Sequence, residues 1–158
     1  MSKKINVTIY IILILSILIT LAVIFCNSIK GPEESKGESD AVVEVVKPII
    51  DPNDKMSNDD VSFLVRKSGH FIEYLILGIE CALLAYHVNK RISYSGAVSS
   101  AFGCLLAANA DEFIQSFTDR GSMVADVLLD LCGAVVGIAV GFSVAYAVAR
   151  IIKKKKAE

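Results

Sequence analysis

An uncharged apolar run near the N-terminus constrains the fold more than any other feature of the sequence. Residues 5–25 read INVTIYIILILSILITLAVIF, twenty-one residues without one charged side chain. A helix needs about 20 apolar residues to cross a hydrocarbon core of ~30 Å. A cleaved signal peptide would typically have an apolar run of only ~7–15 residues, followed by small residues at the cleavage site. Residues 23–25 provide no such site, so the sequence predicts an uncleaved transmembrane anchor.

Three further apolar stretches follow, at about residues 70–86, 94–113 and 123–149. Backbone polar groups in lipid must be satisfied inside helices or closed barrels. The lengths of these stretches and their lack of strict alternation favour helices. The sequence therefore predicts an all-α protein, an integral membrane four-helix bundle with a long extracellular first loop.

Basic residues predict the orientation of this bundle. They lie at the ends of the spans that face the same side as both chain termini: Lys3, Lys4, Lys90, Arg91, Arg150 and residues 153–156. Because positive charge marks the cytoplasmic side, we expect a multi-pass cell-membrane protein with both termini in the cytoplasm. The formal net charge is −1, which argues against a nucleic-acid partner.

The predicted organisation has four parts along the chain. The second part, residues 27–60, is acidic and contains glycines and prolines. We therefore expect it to be solvated and largely flexible, with a short strand or interfacial patch at residues 42–50. The parts are an N-terminal transmembrane helix (1–26), an acidic extracellular loop (27–60), a three-helix membrane core (61–152) and a basic cytoplasmic tail (153–158).

Ionisable residues inside the later spans indicate where function lies. Each costs about 2.5–3.5 kcal/mol at the centre of a membrane helix, so it needs partners. At the helical rise of about 1.5 Å per residue, acids from three spans reach a similar depth in the outer half of the bundle. We predict a polar pocket there with His70, Glu73, Asp111, Glu112, Gln115, Asp126 and Asp130 as candidate catalytic residues and Arg66, Lys67, Tyr74 and Arg120 as candidate binding residues.

Two features of these spans have a structural interpretation as well. The acids could be interhelical cross-links, and Glu80, near mid-bilayer, could be a protonated glutamate that donates to Asn109 or to a backbone carbonyl. Gly133, Gly137 and Gly141 form a doubled G-x-x-x-G ridge, the pattern that lets membrane helices approach closely. This ridge is a candidate contact for a homo-oligomer or for a partner helix.

Metal and cofactor motifs are not found in the sequence. The four cysteines show no C-x-x-C or Cys/His ligand spacing and are interpreted as small buried apolar residues. A Gly-rich phosphate loop, a G-x-S-x-G motif and a zinc motif are likewise lacking. We therefore expect neither a metal ion nor a cofactor.

The polar residues resemble the motifs of a known family. Lys67-x-x-His70-Phe71-x-x-Tyr74-x-x-Leu77-Gly78 resembles the first signature of VanZ-like membrane proteins. The second block, D-E-x-x-Q-x-F followed by R, D-V, N or D, and G-x-x-x-G, is matched by Asp111, Glu112, Gln115, Phe117, Arg120, Asp126, Val127, Asp130, Gly133 and Gly137. Many relatives have Asn where this chain has Asp130. The resemblance implies a small membrane protein of the bacterial envelope, in a family with a member associated with low-level teicoplanin resistance and without a settled reaction.

Three functions are compatible with this sequence. The first is binding, and in an enzyme modification, of an outer-leaflet amphiphile, either a membrane lipid or a lipid-linked cell-wall precursor. Cations at the rim suit a phosphate, and His70 with Glu73 or Glu112 suits acid–base chemistry. The second is proton- or cation-coupled transport through intramembrane carboxylates. The third is a membrane scaffold without chemistry.

Overall fold

The computed structural model describes residues 3–118 and 123–155, and this part of the chain confirms the all-α class. Three of the described helices, α1, α3 and α5, are long and apolar enough to cross a membrane. The fourth predicted span coincides with α4, which is not among these three helices, so the count of four spans stays a prediction. The helices are α1 (Lys3–Ile29), α2 (Pro32–Ile50), α3 (Asn58–Asn89), α4 (Tyr94–Gln115) and α5 (Val124–Lys155).

Local signals explain where α3 and α4 begin and end. At the start of α3, the Asp60 N–H donates to Ser57 Oγ at 3.1 Å and the Ser57 N–H donates to Asp60 Oδ2 at 3.3 Å, a reciprocal capping box. Lys90 ends α3 in the left-handed conformation, with φ 57°. Ser93 Oγ then accepts the Gly96 N–H at 3.1 Å and caps α4. The short turn places α3 and α4 side by side in opposite directions.

The acidic segment is mostly helical, so the prediction of a flexible loop is wrong for residues 32–50. Pro32 occupies the first turn of α2 together with Glu33 and Glu34, and both residue types favour a helix N-terminus. Ser35, Ser39 and Val43 are buried at a spacing of four, the stripe by which α2 packs on α3. The predicted strand at residues 42–50 is also wrong, because packing on α3 outweighs the strand preference of its valines.

A carboxylate holds the turn between α2 and α3. Asp51 Oδ2 accepts the Met56 N–H at 2.6 Å, and the backbone N–H groups of Met56 and Lys55 lower the pKa of Asp51 below its ordinary value. A depressed pKa in the folded state means that the carboxylate stabilises the turn above the unfolded-state pKa of about 3.9. That stabilisation is lost as the pH falls through the folded-state value.

We therefore expect Asp51→Ala to loosen the α2–α3 turn at neutral pH and the unsubstituted turn to loosen only in acid. Amide hydrogen exchange in α2, corrected for intrinsic rates, measures both effects. Glu44→Ala, an exposed acid in the same helix, serves as the control and should leave protection unchanged. Equal protection in the Asp51→Ala and unsubstituted proteins at neutral pH would contradict this role.

Glycines bring α3 and α5 into backbone contact. A Cβ on Gly133 would overlap the carbonyl oxygen of Phe71, and one on Gly137 would overlap that of Leu75. Gly78 on α3 packs in the same way against the Ala134 carbonyl. The helix that the glycine ridge of α5 accommodates in the structure is therefore α3 of the same chain.

Contacts between the helices show which ends lie together. The Tyr10 hydroxyl donates to the His87 carbonyl at 3.2 Å, whereas Asn27 Nδ2 donates to Glu73 Oε1 at 2.6 Å. Helix α1 thus runs antiparallel to α3, and Ser28 near its C-terminal end donates to Asp111 near the end of α4. One end of the bundle therefore collects the C-terminal ends of α1 and α4 and the N-terminal halves of α3 and α5.

Candidate functional site

Three residues from three helices meet at this end of the bundle, and we call them the polar triad: His70, Asp111 and Asp130. His70 Nδ1 lies 3.6 Å from Asp111 Oδ2 and 3.6 Å from Asp130 Oδ1. Both aspartates are fully buried, with 0% exposure. The structure thus brings together, from three helices, these three of the residues that were predicted to converge.

Helix geometry explains the convergence. Asp130 lies about 9 Å along α5 from its first residue, and Asp111 lies about 6 Å before the last residue of α4. Helix α3 extends further beyond this level at its N-terminal end, so His70 lies about 18 Å along α3 from its first residue. The close packing of α3 on the glycines of α5 then brings His70 and Asp130 to facing positions.

Asp111 is held by hydrogen bonds from two directions. The Ser28 hydroxyl donates to Asp111 Oδ1, and Gln115 Nε2 donates to Asp111 Oδ2 at 3.3 Å. Ser28 is itself 1% exposed. The hydrogen bond from Ser28 of α1 was not predicted, although Asn27 and Ser28 are small polar residues close behind the apolar run of this helix.

Asp130 has a different environment. Neither of its carboxylate oxygens has a hydrogen-bond partner among the described residues. The hydroxyl of Tyr74, which lies one turn after His70 on α3, also has no hydrogen-bond partner among them. Both side chains are 0% exposed. An ionised carboxylate buried without a compensating partner is costly, so the polar triad requires a proton or a cation for charge balance.

Glu112 joins two helices. Its Oε2 accepts the Met123 N–H at 2.8 Å, directly before α5, and the side chain is 3% exposed. The contact ties the end of α4 to the beginning of α5 across a connection whose residues 119–122 lie outside the described part. Glu112, predicted as a catalytic residue, therefore has a structural contact in this position.

Cations line a small cavity above the polar triad. Lys67 pairs with Asp126, and their side chains are 24% and 14% exposed. Lys67 Nζ also lies 5.3 Å from the ring centre of Phe63, within the range of a cation–π contact. The cavity has a volume of about 100 Å³ and is lined by Phe63, Arg66, Lys67, His70, Gln115, Met123 and Asp126.

Lys67 also borders an apolar groove on the outside of α3 and α5. This groove has a volume of about 340 Å³ and is lined by Leu64, Lys67, Ser68, Phe71, Ile72 and Leu129. A cavity of about 190 Å³ lies on the other side of α3, where Arg66, His70 and Glu73 face α2 and the end of α1. A cavity of about 690 Å³ lies between α2, the turn that follows it and the beginning of α3, and it shares no lining residue with the polar triad.

Comparison with known proteins identifies the family of this membrane protein. Its sequence matches the VanZ/LLP1 family over residues 8–146. The chain belongs to this family. Searches of curated proteins and of solved structures gave no match. The resemblance to VanZ-like proteins that rests on the two motif blocks is therefore confirmed, and the match extends over α1 and α2 as well.

Two predicted site residues of this VanZ/LLP1 protein, Glu73 and Tyr74, contact other parts of the bundle. Glu73 faces α1 through Asn27, and Tyr74 packs in the apolar core with Ala108 and Ala134. Arg120 lies outside the described residues. Of the predicted pocket residues, the structure thus brings His70, Asp111, Gln115 and Asp130 together, with Arg66, Lys67 and Asp126 at the rim.

Glu80 has partners that the sequence analysis did not anticipate. Its Oε1 accepts hydrogen bonds from Ser16 Oγ at 2.5 Å and from Thr20 Oγ1 at 3.1 Å, both on α1. The proposed partner Asn109 instead donates to the Leu105 carbonyl at 2.7 Å. Glu80 therefore links α1 to α3 below the site.

Proposed function

We propose that this VanZ/LLP1 protein binds the anionic head group of an amphiphile in the outer leaflet of the cell membrane. The observation that carries the proposal is the position of Lys67, which borders both the small polar cavity and the apolar groove. An amphiphile needs both environments, one for its charged head and one for its tail. A cation at their junction suits a phosphate at the start of the head group.

The membrane placement that we propose makes α4 a fourth span. Asp111, Glu112 and Gln115 of α4 are buried, whereas its apolar residues Val98, Phe102, Leu106 and Phe113 are 47–65% exposed. A helix of 22 residues is about 33 Å long, enough to cross the hydrocarbon core.

The distribution of charge supports placing the polar triad near the external surface. Lys90, Arg91, Arg150 and the lysines that end α5 lie at the opposite end of the bundle. With that end in the cytoplasm, the cavity opens towards the outer leaflet. Helix α2 and both connections near the triad then lie outside, and both termini inside.

The size of the cavity limits what enters it. Ligand pockets usually have volumes of about 300–1,000 Å³, whereas this cavity has about 100 Å³. It accommodates a phosphate-sized group, and the rest of a head group would extend into water. Arg66 and Lys67 would hold that phosphate by charge-assisted hydrogen bonds.

The polar triad supplies acid–base chemistry next to this position. His70 Nδ1 lies 3.6 Å from an oxygen of each aspartate, and an imidazole beside carboxylates can serve as a general acid or base. The corresponding reaction class is hydrolysis or group transfer on a lipid-linked head group. A role in tolerance to teicoplanin, which acts on the cell-wall pathway of lipid-linked precursors, follows from the family resemblance and belongs to the same proposal.

Binding of a polyprenyl phosphate to the purified protein in nanodiscs tests the proposal. We expect saturable binding that the polyprenol without phosphate does not show. Lys67→Gln should lower the affinity about 10–100-fold, because a hydrogen bond to a charged group contributes about 1.5–3 kcal/mol.

Lys47→Gln is the matched control for this measurement. Lys47 is also an ion-paired lysine, 2.6 Å from Asp54, but it lies on α2 away from the polar cavity. Its substitution should leave the affinity unchanged. Equal binding of the alcohol and the phosphate, or equal affinity of the Lys67→Gln and unsubstituted proteins, would argue against a head-group site.

One observation favours proton- or cation-coupled transport as a second function. Glu80 Oε2 is buried without a hydrogen-bond partner among the described residues, and Glu80 lies about 15 Å deeper along α3 than His70. A pathway from the polar triad towards the cytoplasm would pass this carboxylate. Substitution of Glu80 by glutamine separates the two functions, because only transport requires this carboxylate.

A further inference from the structure

We propose that the polar triad is a binding site for one divalent transition-metal ion, Mn²⁺ or Zn²⁺. The three residues would supply one imidazole nitrogen and two carboxylate groups. The inference rests on the proposed head-group site, because the ion would lie directly beneath the cavity for the head group. With an ion bound, His70 would act as a ligand and no longer as the acid–base group.

The distances fit a common ligand. His70 Nδ1 is 3.6 Å from an oxygen of each aspartate, and the three potential ligand atoms lie within 4.8 Å of one another. Two ligand atoms that are each about 2.1 Å from an ion in tetrahedral geometry are about 3.4 Å apart. Small side-chain movements are therefore enough to place an ion between them.

Asp130 provides an independent reason for a cation. It is 0% exposed, one of its oxygens lies 3.6 Å from His70 Nδ1, and neither oxygen has a hydrogen-bond partner among the described residues. Structures rarely leave a buried carboxylate in this state. A bound cation would satisfy both oxygens and offset the charge of the two neighbouring carboxylates.

The surroundings of the polar triad also suit metal binding. Ser28 and Gln115 donate hydrogen bonds to Asp111, as outer-shell groups do when they orient a ligating carboxylate. The three ligands come from α3, α4 and α5, whose close packing fixes their relative positions. His70 lines the polar cavity, so a phosphate oxygen or water can reach an open coordination position.

The donor set indicates the class of ion. Imidazole suits Zn²⁺ and other transition metals, and carboxylates suit Mn²⁺. Mg²⁺ prefers oxygen ligands and retains several waters, which a buried site with a histidine does not favour. The alternative occupant is a proton shared among the three residues, and the experiment below distinguishes it from an ion.

The test uses the full-length protein in detergent, treated with a chelator and titrated with MnCl₂. Free Mn²⁺ is measured by electron paramagnetic resonance. We expect one ion bound per chain, displacement by equimolar Zn²⁺ and no displacement by Mg²⁺ at the same concentration. Asp130→Asn should lower the Mn²⁺ affinity at least about tenfold, because it removes a charged ligand from a three-ligand site.

Glu44→Gln is the control, since Glu44 is an exposed carboxylate on α2 that lines none of the cavities next to the polar triad. It should bind Mn²⁺ like the unsubstituted protein. Thermal unfolding of each variant confirms that it is folded, and Mn²⁺ should raise the Tm of the unsubstituted protein but not that of Asp130→Asn.

Two outcomes overturn the proposal: no saturable binding of Mn²⁺ or Zn²⁺ by the folded protein, or equal affinity in Asp130→Asn. Either result assigns the polar triad to proton chemistry. Lys67→Gln separates this inference from the head-group site, because it should lose phosphate binding and retain the ion.

Discussion

Gly137→Val is expected to prevent accumulation of the folded protein in the membrane. Even the Cβ of alanine at this position would overlap the Leu75 carbonyl oxygen of α3, and valine adds two methyl groups. Overpacking of a well-packed core typically costs about 1–3 kcal/mol. Here the obstacle is backbone, which has no rotamer to change, so α3 and α5 must separate. Protein amount in membranes and Tm in detergent measure the effect, with Gly137→Ala intermediate between valine and glycine.

Gly103→Ala is the control for this prediction. Gly103 lies in α4, and a Cβ added there meets nothing within 4 Å. Alanine favours a helix interior over glycine by about 1 kcal/mol, so we expect unchanged or slightly higher stability. If Gly137→Val accumulated and melted like the unsubstituted protein, the close approach of α3 and α5 would be wrong.

His70→Gln is expected to abolish the activity of the protein in cells without changing its amount. Glutamine keeps an amide that can donate to a carboxylate, but it can neither exchange a proton near neutral pH nor replace an imidazole as a ligand. Loss of a general acid–base group typically costs about 10²–10⁴-fold in rate. The measurement is teicoplanin susceptibility of a bacterium that expresses the gene, with protein amount determined by immunoblotting. Cells with His70→Gln should be as susceptible as cells without the gene.

Glu80→Gln is the matched substitution of another intramembrane ionisable residue on α3. Glutamine can still accept the hydrogen bonds from Ser16 and Thr20, so head-group binding predicts no loss of tolerance. Loss of tolerance in Glu80→Gln, together with loss of proton flux in reconstituted vesicles, would favour transport instead. Retained tolerance in His70→Gln would reduce the polar triad to a structural role.

The convergence of the polar triad could be predicted because it depends on helix periodicity and direction. His70 lies on the same stripe as Arg66 and Glu73, and Asp130 lies on the stripe of the glycine ridge. Alternating span directions then place Asp111 at the same end. The motif residues also predicted the family, and the family match over residues 8–146 confirms it.

Other parts of the structure depend on tertiary contacts that periodicity does not encode. The acidic composition of α2 predicted a flexible segment. The buried residues of this helix pack on α3, and this tertiary contact cannot be read from composition. The contact between Glu112 and the Met123 N–H could not be predicted, because it depends on how α5 is placed relative to α4. The partner of the glycine ridge was equally open, since a G-x-x-x-G pattern does not specify which helix it accommodates.

Helix α1 contributes specific hydrogen bonds to the bundle in addition to its hydrophobic length. Ser16, Thr20, Asn27 and Ser28 direct their side chains at acids on α3 and α4, and Ile24 between them is 1% exposed. These contacts fix the rotation of α1 about its own axis. A transmembrane helix from another protein, of equal length and hydrophobicity, would lack these hydrogen bonds. It would leave those acids facing hydrocarbon, so the first helix is not interchangeable.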